Sequence, residues 1–312
     1  MAKFIKSGQE ARSIESNLTN VIDSSKHSDI NNSSRRPTEE REFPMTSKNF
    51  EVISELAHNY TGIVLGAHKR DMVYGRLARR TRALGLADFD QYCALISAPS
   101  SPEISFFINA ITTNLTSFFR ESHHFDYLRD TVLPEIQRKN NHNKRLRVWS
   151  AGCSTGEEPY SLSITVNEVM DMARWDCKIL ATDLDSNVLN HGRQGVYDIA
   201  RIDTLTEQSR KKWFYKDSNN PEIVKVKPTL QQCLHFKRLN LLENWPMKGP
   251  FDIIFCRNVV IYFNKDTQRE LFDRYADILV DGGYLFIGHS ESLHKVTDRF
   301  ESLGKTVYRK IK

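Results

Sequence analysis

The chain is poor in cysteine, has no long apolar run, and carries no glycine over one stretch of more than fifty residues, between Gly195 and Gly249. Its five cysteines, Cys93, Cys153, Cys177, Cys233 and Cys256, are scattered, and no two form a C-x-x-C pair. That excludes a disulfide framework and a cysteine zinc site and fits free thiols in a reducing compartment. No apolar segment approaches the roughly 20 residues that cross a bilayer, and the N-terminus lacks the apolar core of a secretory signal. No internal repeat is present. These absences point to a cytoplasmic protein with no direct membrane insertion.

Hydrophobic residues make up 39% and charged residues 27% of 312 positions, with a net charge of +5. This is a soluble globular composition, long enough for one large domain and a smaller one. Residues 1–45 are rich in Ser, Asn, Lys and Glu without periodicity, which reads as a disordered tail. From 46 to 98 the period is helical. Phe50, Ile53, Leu56 and Ala57 share a face that Ser47 can cap, a second stripe runs from Ile63 to Leu84 and stops at Gly85, and a third spans Phe89 to Ile96. This predicts a small all-α domain. Pro99 and Pro102 break it, and 99–112 reads as a linker, although the helical period resumes at Phe106.

From 113 to 312 short apolar strands alternate with helices. Leu146–Ala151, Lys178–Asp183, Phe251–Cys256 and Gly283–Gly288 are strands, and Thr306–Ile311 is a candidate closing edge strand. The alternation predicts an α/β domain with a doubly wound, mostly parallel sheet. It is interrupted at 213–237, where two extended runs around a polar turn predict a small antiparallel β insert.

The chemistry-bearing residues stand at strand ends, where open α/β sheets bind ligands. After the first strand comes Gly152-Cys-Ser-Thr-Gly156-Glu-Glu158. Acids at that turn repel a pyrophosphate but suit a ligand with a cationic amine and hydroxyls, and S-adenosylmethionine is such a ligand. The same acids also suit the dipole of the helix they begin. Asp183 closes the second strand, where a carboxylate can accept ribose hydroxyls, and Asp185 is placed to cap the next helix. Arg257 and Asn258 follow the later strand, where amine methyltransferases offer neutral acceptors to a nitrogen; a cation suits an anionic group instead. His123 and His124 read as surface residues.

Taken together, Thr113-Asn-Leu-Thr-Ser-Phe-Phe-Arg-Glu121, Ala151 to Ser161, Ala181-Thr-Asp-Leu-Asp185, Ile254 to Phe263 and Gly283 to Glu291 resemble the chemotaxis receptor methyltransferases (CheR) from about Asn49 to the C-terminus. The resemblance implies a Rossmann-like methyltransferase domain preceded by the all-α domain, S-adenosyl-L-methionine as cofactor with S-adenosyl-L-homocysteine as product, and no metal. By position it implies that Asn114, Thr116, Arg120, Glu158, Asp183, Asn240, Leu241, Arg257 and Asn258 hold the cofactor, with Arg120 and Tyr262 at the methyl-transfer centre. The implied substrate is the glutamates of a chemoreceptor cytoplasmic helix bundle, met by a monomer. Lys69, Arg76, Arg79 and Arg82 recur at steps of seven, three and three with Asp71 as the only acid among them, and such a stripe suits the glutamate-rich bundle. Some members of the family dock a receptor tail peptide on the antiparallel insert through a Gly-x-Gly turn. The insert here has no glycine, so recognition is expected to be direct. A nucleic-acid substrate would call for an amine-type acceptor motif and a basic stretch interleaved with aromatics, which are missing; a non-catalytic scaffold would show damaged motifs, and these are intact.

Overall fold

Thr46 rather than Ser47 caps the first helix, because its Oγ1 accepts the Asn49 N–H at 3.1 Å while the Asn49 side chain accepts the Thr46 N–H at 2.9 Å. The computed structural model describes residues 41–312. The expected disordered tail lies outside the described residues up to position 40. Its last part is ordered: Phe43 and Met45 are buried in the first hydrophobic core.

That core belongs to four helices: α1 (Ser47–Thr61), α2 (Arg70–Ala83), α3 (Phe89–Ser97) and α4 (Ile104–Ile111). Ile53 and Ala57, Val73 and Leu77, Phe89 and Ile96 face one another in it. The second helix is shorter than its apolar stripe predicts. Gly62 ends α1 in the left-handed region, at φ 71°, and the chain stays non-helical to Gly66 before a single 3₁₀ turn over Ala67–Lys69. The segment 99–112, expected as a linker, holds α4, whose Phe107, Ile108 and Ile111 complete this core. The two prolines end α3 without uncoupling α4 from the helical domain.

Next come α5 (His123–Tyr127) and α6 (Leu133–Lys139), joined by a π turn, and then the main sheet. Its first members are β1 (Arg145–Ala151), α7 (Glu157–Val169), β2 (Asp176–Asp183) and α8 (Ser186–Gln194). The insert comes after α8: β3 (Val196–Asp198), α9 (Glu207–Trp213), β4 (Phe214–Lys216) and β5 (Ile223–Val226), with β5 between the other two strands and antiparallel to both. After the short α10 (Pro228–Gln231), the chain returns to the main sheet as β6 (Leu234–Arg238). The expected insert boundaries, 213–237, are therefore shifted: the insert begins at Val196, and Leu234–Lys237 pairs in parallel with β2. What holds β6 there is packing. Phe236 lies so close to α8 that a Cβ at Gly192 would come within 2.6 Å of its ring.

The remaining elements are β7 (Phe251–Cys256), α11 (Lys265–Ile278), β8 (Leu279–Ile287), β9 (Phe300–Gly304) and β10 (Val307–Lys310). The seven strands lie in the order β6-β2-β1-β7-β8-β10-β9. The last expected strand is therefore β10, antiparallel to β8 but one place in from the edge; β9 takes the edge. Neighbouring residues face opposite sides of the sheet, as strand pleating requires. Val148, Ile253 and Phe286 enter the core under α5, α6 and α7, whereas Trp149, Ile254 and Leu285 enter the core under α11. The sheet is thus covered on both faces, and the free space is at the carboxyl ends of β1, β2 and β7.

The role of α4 in the core gives a stability test. Phe107→Ala leaves a large cavity at a fully buried position and is expected to cost about 3–5 kcal/mol, read as a lower urea midpoint. A linker position would tolerate the change within about 0.5 kcal/mol.

Candidate active site

One cleft opens at those carboxyl ends, beneath the helical domain. It is lined by Asn114, Thr116, Arg120, Glu158, Asp183, Asn240, Leu241, Arg257, Asn258 and Tyr262, so the structure brings every expected cofactor and catalytic residue together. Lys69 also lines it. The helical domain closes one side. Val64 N–H donates to the Tyr262 carbonyl at 3.0 Å, and the Asn240 amide donates to the Tyr60 carbonyl at 2.9 Å.

The Gly152 turn lets backbone, and nothing bulkier, pass the floor. Gly152 has φ +84°, and a Cβ on it would sit 2.4 Å from Val259. Asp183 ends β2 with its carboxylate already accepting the Ser154 N–H at 2.8 Å and the Asp185 N–H at 3.0 Å. Burial nevertheless pushes its carboxyl up to about 6, only partly offset by those backbone donors. It keeps lone pairs toward the cleft, and a pair of hydroxyl donors, such as a ribose carries, is the group that would relieve it. Asp185 caps α8 by accepting the Asn187 N–H at 2.8 Å, and its other oxygen accepts the Asn114 amide at 2.8 Å and the Thr112 hydroxyl at 3.1 Å. The cap thus also fixes the segment entering the cleft.

Glu157 and Glu158, adjacent in sequence, separate in space. Glu157 is fully buried beside the insert, where it accepts from Arg201 and from the Thr155 hydroxyl. Glu158 faces the cleft and accepts from the Ser150 hydroxyl at 2.7 Å and from Arg257 Nε at 2.7 Å. Arg257 is itself buried, lies over the rings of Phe125 and Phe255, and donates through Nη1 to the Arg120 carbonyl at 2.6 Å and to His124 Nδ1 at 3.0 Å.

His124 was expected on the surface; it is fully buried. Its Nε2 meets the Lys305 carbonyl at 2.9 Å and the Thr306 hydroxyl at 3.0 Å. Burial first, and then the Arg257 charge, push its pKa down to about 4, so it is neutral at pH 7. With Arg257 donating to Nδ1, the proton belongs on Nε2, a tautomer assigned from the hydrogen-bond network. Spacing on a helix could not show this, because the partners are some 130 and 180 residues away in the chain. Burial alone would raise the nearby Glu121 carboxyl, but His289 and Arg257 outweigh it and hold it below the ordinary range.

Arg120 stands between two non-glycine residues in the left-handed region, Phe119 at φ 52° and Glu121 at φ 57°. Such strain persists only where the surroundings over-determine it. Here Ser161 Oγ accepts the Phe119 N–H at 2.9 Å and Arg257 takes the Arg120 carbonyl. The Arg120 side chain donates to the Leu115 carbonyl at 2.7 Å. Opposite, the Lys69 ammonium lies 4.9 Å from the Tyr262 ring centroid.

The rest of the basic stripe does not join the cleft, and Arg76 and Arg82 are compensated from outside α2. Arg76 donates to the Ala110, Ile111 and Thr112 carbonyls at the end of α4, at 3.2, 3.3 and 2.6 Å. Arg82 is paired with Glu42, and the interposed Arg80 with Glu103 at 2.6 Å. Arg79 is exposed and donates only to its own helix, to the Gly75 carbonyl. Lys69 sits in the 3₁₀ turn ahead of α2, so the four cations form no continuous stripe. Among the described residues, no group of three or more His, Cys, Asp or Glu side chains is arranged to hold a metal, and no helix is long and apolar enough to cross a membrane.

A seven-stranded sheet with one reversed strand next to its edge, a glycine turn after β1 and a carboxylate ending β2 over a cleft define a Rossmann-like, S-adenosylmethionine-dependent methyltransferase. Sequence comparison narrows this. Residues 114–309 match the family described as CheR methyltransferase, SAM binding domain, and residues 48–112 match its all-alpha domain. The chain belongs to the CheR methyltransferase family. It is 44% identical to the chemotaxis protein methyltransferase of Salmonella typhimurium, over 85% of this chain and 90% of that one. The Escherichia coli chemotaxis protein methyltransferase is 43% identical over 85% of this chain and 91% of its own length. For chemotaxis protein methyltransferase 2 of Pseudomonas aeruginosa the values are 41%, 86% and 95%.

If Asp183 takes the hydroxyls of the cofactor, binding will be pH-dependent. A ligand that donates hydroxyls to the ionised carboxylate favours that form and pulls its raised pKa down again. Affinity would then be full well above pH 6 and fall as the pH drops through about 6. Calorimetry with S-adenosyl-L-homocysteine between pH 8 and 5 is expected to show this decline. Asp183→Ala should weaken binding by roughly 1.5–3 kcal/mol at pH 8 and abolish the slope. Unchanged affinity in the folded variant would remove Asp183 from the site.

Proposed function

We propose that this protein transfers the methyl group of S-adenosyl-L-methionine to glutamate side chains of chemoreceptor (methyl-accepting chemotaxis protein) cytoplasmic helix bundles, forming the methyl esters of chemotactic adaptation. The observation that carries the reading is the make-up of the acceptor end of the cleft. Arg120, Lys69 and Tyr262 stand there, cations and a phenol, suited to a carboxylate and unsuited to an amine that must shed a proton. That the Salmonella, Escherichia and Pseudomonas relatives are chemotaxis protein methyltransferases supports it. On this reading the protein works as a monomer in the cytoplasm, where the receptor bundle is.

Asp183 takes the ribose hydroxyls, Asn240 and Leu241 flank the adenine, and Glu158, Arg257, Asn258, Asn114 and Thr116 hold the amino-acid end and neighbouring polar groups. The bound cofactor supplies a methyl on a sulfonium; a carboxylate oxygen displaces it in line, the C–S electron pair stays on sulfur, and a methyl ester and S-adenosyl-L-homocysteine result. A glutamate with a pKa of about 4.3 is already ionised at neutral pH, so no residue here need act as a base. What the chain contributes is placement. Arg120 and Tyr262 orient the incoming carboxylate, and the helical domain excludes water from one side of the cleft. A guanidinium tied to the Leu115 carbonyl can guide the carboxylate without closing on it as a full ion pair.

Receptor recognition is assigned to Lys69 at the cleft and to the exposed Arg79, while Arg76 and Arg82 serve the helical domain itself. The β4–β5 turn is built without glycine, Asp217 accepting the Asn219 and Asn220 N–H groups at 2.8 and 2.9 Å, and recognition of the bundle needs no tail peptide. Incubation with methyl-tritiated cofactor and a receptor cytoplasmic fragment lacking its tail should give label that alkali releases as methanol. Alkali-stable label sinks the ester reading. Micromolar binding of the receptors' own tail peptides, lost when the β4–β5 turn 217–222 is shortened, sinks the tail-independent part.

Arg79→Glu should raise KM for that fragment roughly three- to ten-fold with cofactor affinity unchanged, whereas Arg76→Glu should lower the melting temperature. Equal loss of receptor and cofactor binding in Arg79→Glu would mark a folding defect and remove Arg79 from recognition.

A further inference from the structure

We propose that Glu291 is the positioning residue for Tyr262, acting through the backbone of the loop Arg257–Tyr262 and without touching the substrate. The inference rests on the assignment of Tyr262 to the transfer centre. Glu291 is 5% exposed and lies just beyond β8, in a turn where its N–H donates to the Gly288 carbonyl at 2.9 Å. Its carboxylate is met by backbone N–H groups. One oxygen accepts from Val260 at 2.9 Å and Ile261 at 3.3 Å; the other accepts from Asn258 at 3.0 Å and Gly288 at 2.6 Å. Three of these donors come from the single loop that leads from Arg257 to Tyr262.

That loop cannot hold its shape alone. Asn258 is in the left-handed region, at φ 59°, and a lone 3₁₀ turn over Val260–Tyr262 closes it. The convergence of successive N–H groups forms a nest for an anion, and a glutamate of this chain fills it. The carbonyl side is braced separately, by the Gln268 amide donating to Val260 at 2.9 Å and to Phe263 at 3.1 Å. The fit is close: a Cβ on Gly288 would come within 2.4 Å of the Asn258 amide. Arg257, by contrast, is anchored by Glu158, His124 and the Arg120 carbonyl, none of which involves Glu291. The Arg257 side chain and the stretch after it are therefore held by different groups, and removing the charge of Glu291 loosens Asn258–Ile261, the backbone that carries Tyr262, while the Arg257 side chain stays anchored and Val64 keeps only the Tyr262 carbonyl.

In Glu291→Gln one oxygen becomes an NH₂ that faces N–H donors. Methylation of the receptor fragment should show kcat lowered at least ten-fold, with the dissociation constant for S-adenosyl-L-homocysteine within about three-fold of wild type. Glu291→Asp keeps the charge on a shorter stem and should recover part of the loss; it also serves if the glutamine variant folds poorly. Because Glu291 acts through Tyr262, adding Glu291→Gln to Tyr262→Phe should lower kcat by less than three-fold further. Fluorine NMR of 3-fluorotyrosine-labelled protein with S-adenosyl-L-homocysteine, the Tyr262 signal assigned by Tyr262→Phe, should show that signal shifted or broadened in Glu291→Gln. A lower melting temperature with kcat and the Tyr262 signal unchanged, effects of the two substitutions that multiply, or an equal loss of kcat and cofactor affinity would each overturn the proposal. If wild type binds cofactor but does not label the receptor fragment, the glutamate reading fails instead, and the fluorine signal still decides whether Glu291 holds Tyr262.

Discussion

A guanidinium buried at the end of a central strand has to be neutralised on the spot, and the cleft is assembled around that requirement. Arg257 follows β7 with its side chain 3% exposed. Leaving it unpaired there would be strongly unfavourable, and a buried pair is worth having only if its remaining hydrogen bonds are also satisfied. Glu158 supplies the charge from the start of α7, the Arg120 carbonyl and His124 take the other donors, and two phenylalanine rings cover the cation's faces. Four separate pieces of chain are thereby registered against one another: the end of β7, the first turn of α7, the strained segment at Phe119–Glu121, and α5. Through His124 the network reaches the β9–β10 turn, so the C-terminal hairpin also helps hold the arginine.

The second constraint is the joint between the helical domain and the sheet. It is made of backbone and amide hydrogen bonds and of close approach: a Cβ on Gly62 would lie 2.5 Å from Leu242. The helical domain therefore does more than present a surface. By covering Tyr262 and Asn240 it sets which side of the cleft stays open, and Lys69, in the 3₁₀ turn that leads into α2, becomes part of that opening. On the proposed reading, a cofactor held at β1 and β2 and an acceptor approaching past Lys69 would meet where Arg120 and Tyr262 stand.

Much of this was legible from residues alone, because the relevant interactions are local. Apolar runs that are bounded by turn residues and alternate with helices read as buried strands, a glycine pair and an acid at strand ends mark a ligand cleft, and Asp185 caps its helix from two residues away. Periodicity also marked all four N-terminal helices, α4 from Phe106 onward. The misjudgement was to read 99–112 as a linker, because the prolines signal a break in the chain while Phe107, Ile108 and Ile111 signal burial, and only packing decides between them.

What the tertiary structure alone decided concerns residues whose partners are distant in sequence. The run Leu234–Arg238 has the same alternation whether it pairs in a hairpin with β5 or in parallel with β2; the space beside Gly192 chose β2. Arg76 and Arg82 look uncompensated on α2, and the carbonyls and the carboxylate that satisfy them lie more than thirty residues away. Glu157 and Glu158 are neighbours separated by about 100° around the helix axis, one meeting Arg201 and the other Arg257. The decisive partners of His124 and Glu291 leave no mark nearby, since an imidazole between two remote groups and a carboxylate that fills another loop's ring of N–H groups exist only after the chain has closed on itself. Sequence sets what each residue can bond to within a turn or a strand; which of the remaining donors and acceptors meet is settled by the fold, because a buried polar group takes whatever partner packing brings within three ångströms.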